Sequence, residues 1–149
     1  GEYTTEQMCA FINEATHSNL AQSELMDIWR RAFALDLELF DIAKAVSAHT
    51  EVGILTNNPQ LLRNAFPVWF PQIESLFDPI VFSFELRATK PDPRAFASAE
   101  RRAACSGPEL MLIDDSPANV EAATAFGWQA IHYTNASELK EKLAVIGVY

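Results

Sequence analysis

The stretch LMLIDDSPANVEAA, Leu110 to Ala123, decides how the chain is read. Four apolar residues run into two adjacent aspartates, Asp114 and Asp115. The following SPANVEAATAFG has the marks of a helix: Ser116 as N-cap, Pro117 at the first helical position and Gly127 as the stop. A short apolar run that ends in polar residues and feeds a helix reads as a buried strand. Two carboxylates at its end repel one another unless a cation or a proton offsets them. The plainer alternative is an acidic pair favoured by the dipole at a helix N-terminus.

The same alternation extends in both directions. EVGILTNN (51–58) reads as a first strand, and PQLLRNAFPVWF as a helix broken near Pro67. DPIVFSFEL reads as a second strand, and PRAFASAERRAA as a helix with Pro93 in its first turn. After the LMLIDD strand and its helix come QAIHYT, a fourth strand, and SELKEKLAVIG, a last helix. Strands alternating with helices specify an α/β fold, a Rossmann-like parallel sheet flanked by helices. Upstream, residues 4–47 read as helical. Thr4 or Thr5 can cap the first helix and Ser23 the second. Leu25, Ile28, Trp29 and Phe33 share one helical face, as do Leu35, Leu39, Ile42 and Val46.

Ligands of such sheets bind at the carboxyl ends of the strands. That rim collects Thr56, Asn57 and Asn58 after the first strand, Lys90 in TKPDP after the second, and Asp114 with Asp115 after the third. Taken singly, Thr56 with Asn57 is a helix cap, Lys90 a surface lysine and the two prolines a turn. Taken together they supply a hydroxyl, an amide, an ammonium and a carboxylate pair. A hard divalent ion such as magnesium suits that pair, because it binds through one or two carboxylates plus phosphate oxygens. Lys90 and Thr56 would then hold a phosphate.

Composition narrows the choices. The chain has 149 residues, 49% hydrophobic and 21% charged, enough for one domain with a real core. A formal net charge of -9 argues against nucleic-acid and anionic-membrane partners, which need clustered Lys and Arg. It leaves a small anionic ligand open. Cys9 and Cys105 have no metal-type spacing. Free thiols in a reducing, cytoplasmic setting are expected, with one long-range disulfide as the alternative. No apolar run approaches a membrane span, and no signal-peptide pattern opens the chain.

GILTNN, KPDPRAF and LIDDSPANVEAA resemble motifs two, three and four of the haloacid dehalogenase-like (HAD) hydrolases, in order and at plausible spacing. The nearest likeness is to phosphatases with a small helical cap, of the glucose-1-phosphate phosphatase type and the N-terminal domain of soluble epoxide hydrolase. GEYTTEQM resembles a stretch inside that cap. The resemblance implies a partial cap over residues 1–49 and an α/β core over 50–149. It makes Thr56 and Lys90 catalytic, with Thr56, Asn57 and Lys90 on the phosphate of a small phosphorylated molecule. It makes Asp115 and Asp114 the magnesium ligands and leaves Asn119 structural. The acidic pair favours this branch over the metal-free 2-haloacid dehalogenases.

Two departures stand out. SFELRATKP carries Arg87 where the family usually has glycine, which implies backbone strain if φ there is positive. Motif one, with the nucleophilic aspartate at the end of the family's first strand, has no counterpart. Asp27, Asp36 and Asp41 all lie in helical patterns. The family's strand order, 5-4-1-2-3, puts that strand at the centre of the sheet. A chain without it is expected to be inactive, to bind magnesium weakly or not at all, and to expose two interior strand edges. Three origins are consistent with this: a truncated family member, an edge filled by another segment such as LAVIGVY, or a strand-swapped or edge-paired dimer. The start in mid-cap fits the first best. A non-catalytic binding module is the rival to an enzyme.

Overall fold

The computed structural model describes residues 4–149. Three helices come first: α1 (Thr5–Thr16), α2 (Gln22–Ala32) and α3 (Leu37–Val46). Thr4 caps α1 through its side chain, and Gln7 reaches back to the Thr4 amide at 2.9 Å. Residues 1–3 of the GEYTTEQM stretch lie outside the described residues. Ser23 does not cap α2. The helix starts two residues earlier, after Ala21, whose amide is held by Glu24 Oε2 at 2.8 Å. Of the expected α2 face, Leu25 is buried and Trp29 meets Phe33 edge-on at 6.2 Å, but Ile28 is 51% exposed. Asp36 caps α3 by accepting from the Leu39 amide at 3.0 Å.

The remainder alternates as expected: β1 (Ile54–Thr56), α4 (Gln60–Trp69), α5 (Pro71–Leu76), β2 (Ile80–Phe82), α6 (Ser83–Leu86), α7 (Pro93–Ala103), β3 (Met111–Asp114), α8 (Pro117–Phe126), β4 (Gln129–His132) and α9 (Ala136–Val145). Two boundaries differ from the sequence reading. Pro67 sits inside α4 without ending it; the chain breaks three residues later, where Phe70 leaves helical geometry before Pro71. DPIVFSFEL is a strand only as far as Phe82, after which Ser83–Leu86 turns into a short helix.

The sheet is split. Among the described residues β1 pairs only with β2 and β3 only with β4, both in parallel, giving two separate two-stranded sheets. Gly53 fixes the start of the first pair. A Cβ there would stand 2.9 Å from the Pro79 carbonyl oxygen, the same atom that accepts from the Ile54 amide at 2.9 Å. Three apolar clusters hold helices against the half-sheets. Phe82, Phe66 and Leu62 lie behind β1–β2, and Phe96, Trp128, Leu112 and Ala123 behind β3–β4. Ile42 and Val46 of α3 pack against Leu139 and Leu143 of α9. Phe82 and Phe96 are fully enclosed, and each such ring contributes roughly 2–3 kcal/mol on burial. Both cysteines are free thiols. Among the described residues no helix is long and apolar enough to cross a membrane.

Arg87 closes α6 in the left-handed region, with φ 51° and ψ 31°, where the Cβ crowds the following carbonyl. Its side chain is exposed. Arg87→Gly is therefore expected to raise stability by about 1 kcal/mol, because relief of the left-handed strain outweighs the greater entropy of an unfolded glycine. Urea unfolding checks this: the midpoint should rise with an unchanged slope.

Candidate active site

The carboxyl ends of β1 and β3 are joined by one lysine. Asn57, the residue after β1, brackets the Lys90 backbone. Its Nδ2 donates to the Lys90 carbonyl and its Oδ1 accepts from the Lys90 amide, both at 2.8 Å. The Lys90 ammonium then donates to Asp114 Oδ2 at the end of β3, at 2.5 Å. Both side chains are largely enclosed, 10% and 7% exposed. The other Asp114 oxygen, Oδ1, accepts from the Ser116 amide and from Asn119 Nδ2, each at 2.9 Å. Ser116 thus stands at the N-cap of α8, but its side chain makes no cap bond; its amide is spent on Asp114 instead.

Burial works to raise the Asp114 pKa. It is outweighed by the hydrogen bond from Lys90, those from Asn119 and the Ser116 amide, and the lysine charge, so the carboxyl lies below its ordinary value. Asp115 is exposed, and its carbonyl lies 3.1 Å from His132 Nε2. The Thr56 hydroxyl accepts from Asn58 Nδ2 at 2.6 Å, which leaves its own proton available for donation. Asn58 is in turn seated by its carbonyl, which accepts from the Ser83 hydroxyl at 3.4 Å.

Thr56, Asn57, Lys90, Asp114 and Asp115 therefore all lie at the carboxyl ends of β1 and β3. The Asn57 grip on a peptide 33 residues away and the Asn119 bond to Asp114 are added by the fold. The magnesium question turns on the donor set. One Asp114 oxygen is engaged by an ammonium and the other by two N–H donors. An ion bound there at about 2.1 Å would face the Lys90 charge directly. Among the described residues no group of three His, Cys, Asp or Glu side chains could hold a metal. The residues present do not fit magnesium in this arrangement, because Lys90 occupies the cation position on Asp114.

Residues 4–133 match the sequence pattern of a family described as haloacid dehalogenase-like hydrolase. The chain belongs to the haloacid dehalogenase-like hydrolases. Solved structures of this fold agree. A HAD family enzyme from Bacteroides thetaiotaomicron, crystallised as the wild type with magnesium and inorganic phosphate, superposes with a TM-score of 0.80 at 21% identity. The match covers 93% of this chain and 75% of that one. A HAD phosphatase from Thermococcus onnurineus superposes with a TM-score of 0.74 at 18% identity, covering 93% of this chain and 70% of that one. An uncharacterized protein from Corynebacterium glutamicum gives 0.65 at 24% identity, covering 78% and 88%. No protein with a curated description matches. At these identities the likeness to solved HAD structures is one of fold.

The Lys90–Asp114 pair generates two expectations. Lys90→Met strands a buried carboxylate and should cost roughly 3–5 kcal/mol, part of which the Lys90→Met/Asp114→Asn double variant recovers. Urea unfolding of the three proteins measures both. Because the folded pKa of Asp114 is depressed, its contribution is complete above the unfolded value of about 3.9 and is lost as pH falls through the lower folded value. Unfolding free energy between about pH 5 and pH 2 should fall less steeply in Asp114→Asn than in the parent.

Proposed function

We propose that this rim serves a phosphatase-type HAD hydrolase acting on a small phosphate ester, with magnesium in its complete form, and that the chain as it stands does not turn over. The observation that carries the reading is a buried ammonium at the joint carboxyl ends of two parallel strands, with a threonine hydroxyl free to donate on the same rim. An ammonium and a hydroxyl donor so placed suit the oxygens of a phosphoryl group. In this reading Thr56 and Asn57 donate to the phosphoryl oxygens and Lys90 neutralises them. In the complete form Asp115 and Asp114 would hold the ion, a role that the Lys90 contact with Asp114 blocks in this arrangement. Residues 1–49 form a partial cap of the small helical type, and 50–149 the core. The setting is cytoplasmic. The relatives described as binding magnesium and phosphate support the choice of ion and ligand.

Inactivity is expected because, among the described residues, Asp114 is paired with Lys90 and no further aspartate follows an apolar strand to serve as nucleophile beside it. Asp36 is a helix cap, and Asp27 and Asp41 lie within α2 and α3. With p-nitrophenyl phosphate and millimolar magnesium, release of nitrophenolate should equal the buffer background. Magnesium-dependent turnover that disappears in Lys90→Ala would overturn this. A binding module is the second reading, favoured by the way Lys90 and Asp114 satisfy each other. It requires saturable binding of inorganic phosphate, measured by calorimetry and weakened by Thr56→Val.

A further inference from the structure

We propose that Asp114 is a built-in competitor for the anion at this rim: it occupies the Lys90 ammonium and so holds the anion position shut. The inference concerns the control of that position and rests on the reading of the rim as a phosphoryl site.

The two partners of the ion pair are unequally provided for. Asp114 Oδ1 accepts from the Ser116 amide and from Asn119 Nδ2, each at 2.9 Å. The carboxylate is therefore held at the end of β3 without help from the lysine. The ammonium has no such support. It carries three N–H bonds, and Asp114 Oδ2 is the one acceptor it meets among the described residues. With its side chain 10% exposed, it is best completed by a ligand that offers several oxygens at once, as a tetrahedral oxyanion does. Lys90 also lines the gap between the two half-sheets, a cavity of about 1010 Å³, so a ligand has room to approach it.

The Lys90 backbone is fixed independently of its charge. Pro91 biases it towards an extended conformation, which turns its N–H and C=O to the same side. Asn57 takes up both, and the turn closes through the Asp92 amide on the Thr89 carbonyl at 2.8 Å. This grip is on the peptide, so it persists whichever acceptor the ammonium takes. Only the side chain has to change partner. Thr56, one residue before Asn57, keeps a hydroxyl proton free for the same ligand.

Charge decides the competition. A phosphate anion arriving at Lys90 meets the Asp114 carboxylate within a hydrogen bond of the same nitrogen. Two like charges so close in an enclosed setting repel strongly. The anion must displace Asp114 or bind beside it, and either weakens binding. Asparagine at position 114 removes the charge, while its carboxamide oxygen still accepts from Ser116 and Asn119. Asp115 supplies the control. It is adjacent, exposed and in none of the ion pairs found among the described residues.

The test is calorimetry with inorganic phosphate at fixed ionic strength, on the whole chain. Asp114→Asn should bind phosphate at least about tenfold more tightly than the parent, and Asp115→Asn should change affinity by less than about twofold. The gain should vanish in Lys90→Met/Asp114→Asn. In the parent, saturating phosphate should shift the carbon-13 resonance of the Asp114 carboxylate. The proposal is overturned if Asp114→Asn binds no more tightly than the parent, if Asp115→Asn gains as much, if the gain survives without Lys90, or if the Asp114 resonance stays in place. Should Asp114→Asn not fold, Asp114→Ser, whose hydroxyl still accepts from the Ser116 amide, replaces it under the same criteria. Equal, measurable affinity in parent and variant sinks the competition and leaves the phosphoryl reading standing. Absence of binding by either at millimolar phosphate sinks both.

Discussion

A strand in the interior of a sheet must satisfy its peptide groups on both sides, and among the described residues β1 and β3 each do so on one side only. Much else in the molecule can be understood as a response to that constraint. An isolated pair of strands is marginal in water. Each pair here survives because helices cover it: the Phe66–Phe82 contact stands behind one and Phe96 against Trp128 behind the other, at centroid distances of 5.6 and 5.3 Å. Between the pairs, Lys90 acts as a tie. It is fastened to β1 through its backbone and to β3 through its charge. The same side chain that suits a phosphate oxygen is, in this arrangement, part of what holds the two halves of the rim together.

This double duty explains why the acidic pair does not offer a ready metal site. Asp114 is the buried member, and its carboxylate is satisfied by one ammonium and two N–H groups. Asp115 is exposed, and among the described residues no group of three His, Cys, Asp or Glu side chains could enclose an ion. A buried, hydrogen-bonded ion pair is costly to break, so the resting arrangement is a closed one. Opening it requires a competing negative group near Lys90, and the open side of the sheet is where such a group has room to enter.

The main lines of this architecture were legible in the sequence because they rest on local patterns. Apolar runs ending in polar residues placed β1, β2 and β3, and the residues just beyond them marked Thr56, Lys90 and Asp114 as a rim. The Arg87 departure also had a local signature, and its φ of 51° bears it out. Contacts between distant segments were not legible. No pattern linked Asn57 to the Lys90 peptide, 33 residues away. Pro67 misled for a related reason. The expected break was displaced to Phe70 because α4 buries Leu62 and Phe66, one turn apart, against β2, and that packing outweighs the lost hydrogen bond.

Trp128 is well placed to report on all of this. It stands immediately before β4, lines the gap and is 7% exposed. Its indole N–H is anchored to Glu100 Oε1 at 3.0 Å, and that same oxygen accepts from the Gly107 amide at 2.9 Å. Trp29 and Trp69 lie in or beside the Phe33 aromatic contacts, away from the gap lining. The molecule therefore carries an intrinsic fluorophore fixed in the wall of the gap between its two half-sheets, whose emission registers whether that wall is wet or covered.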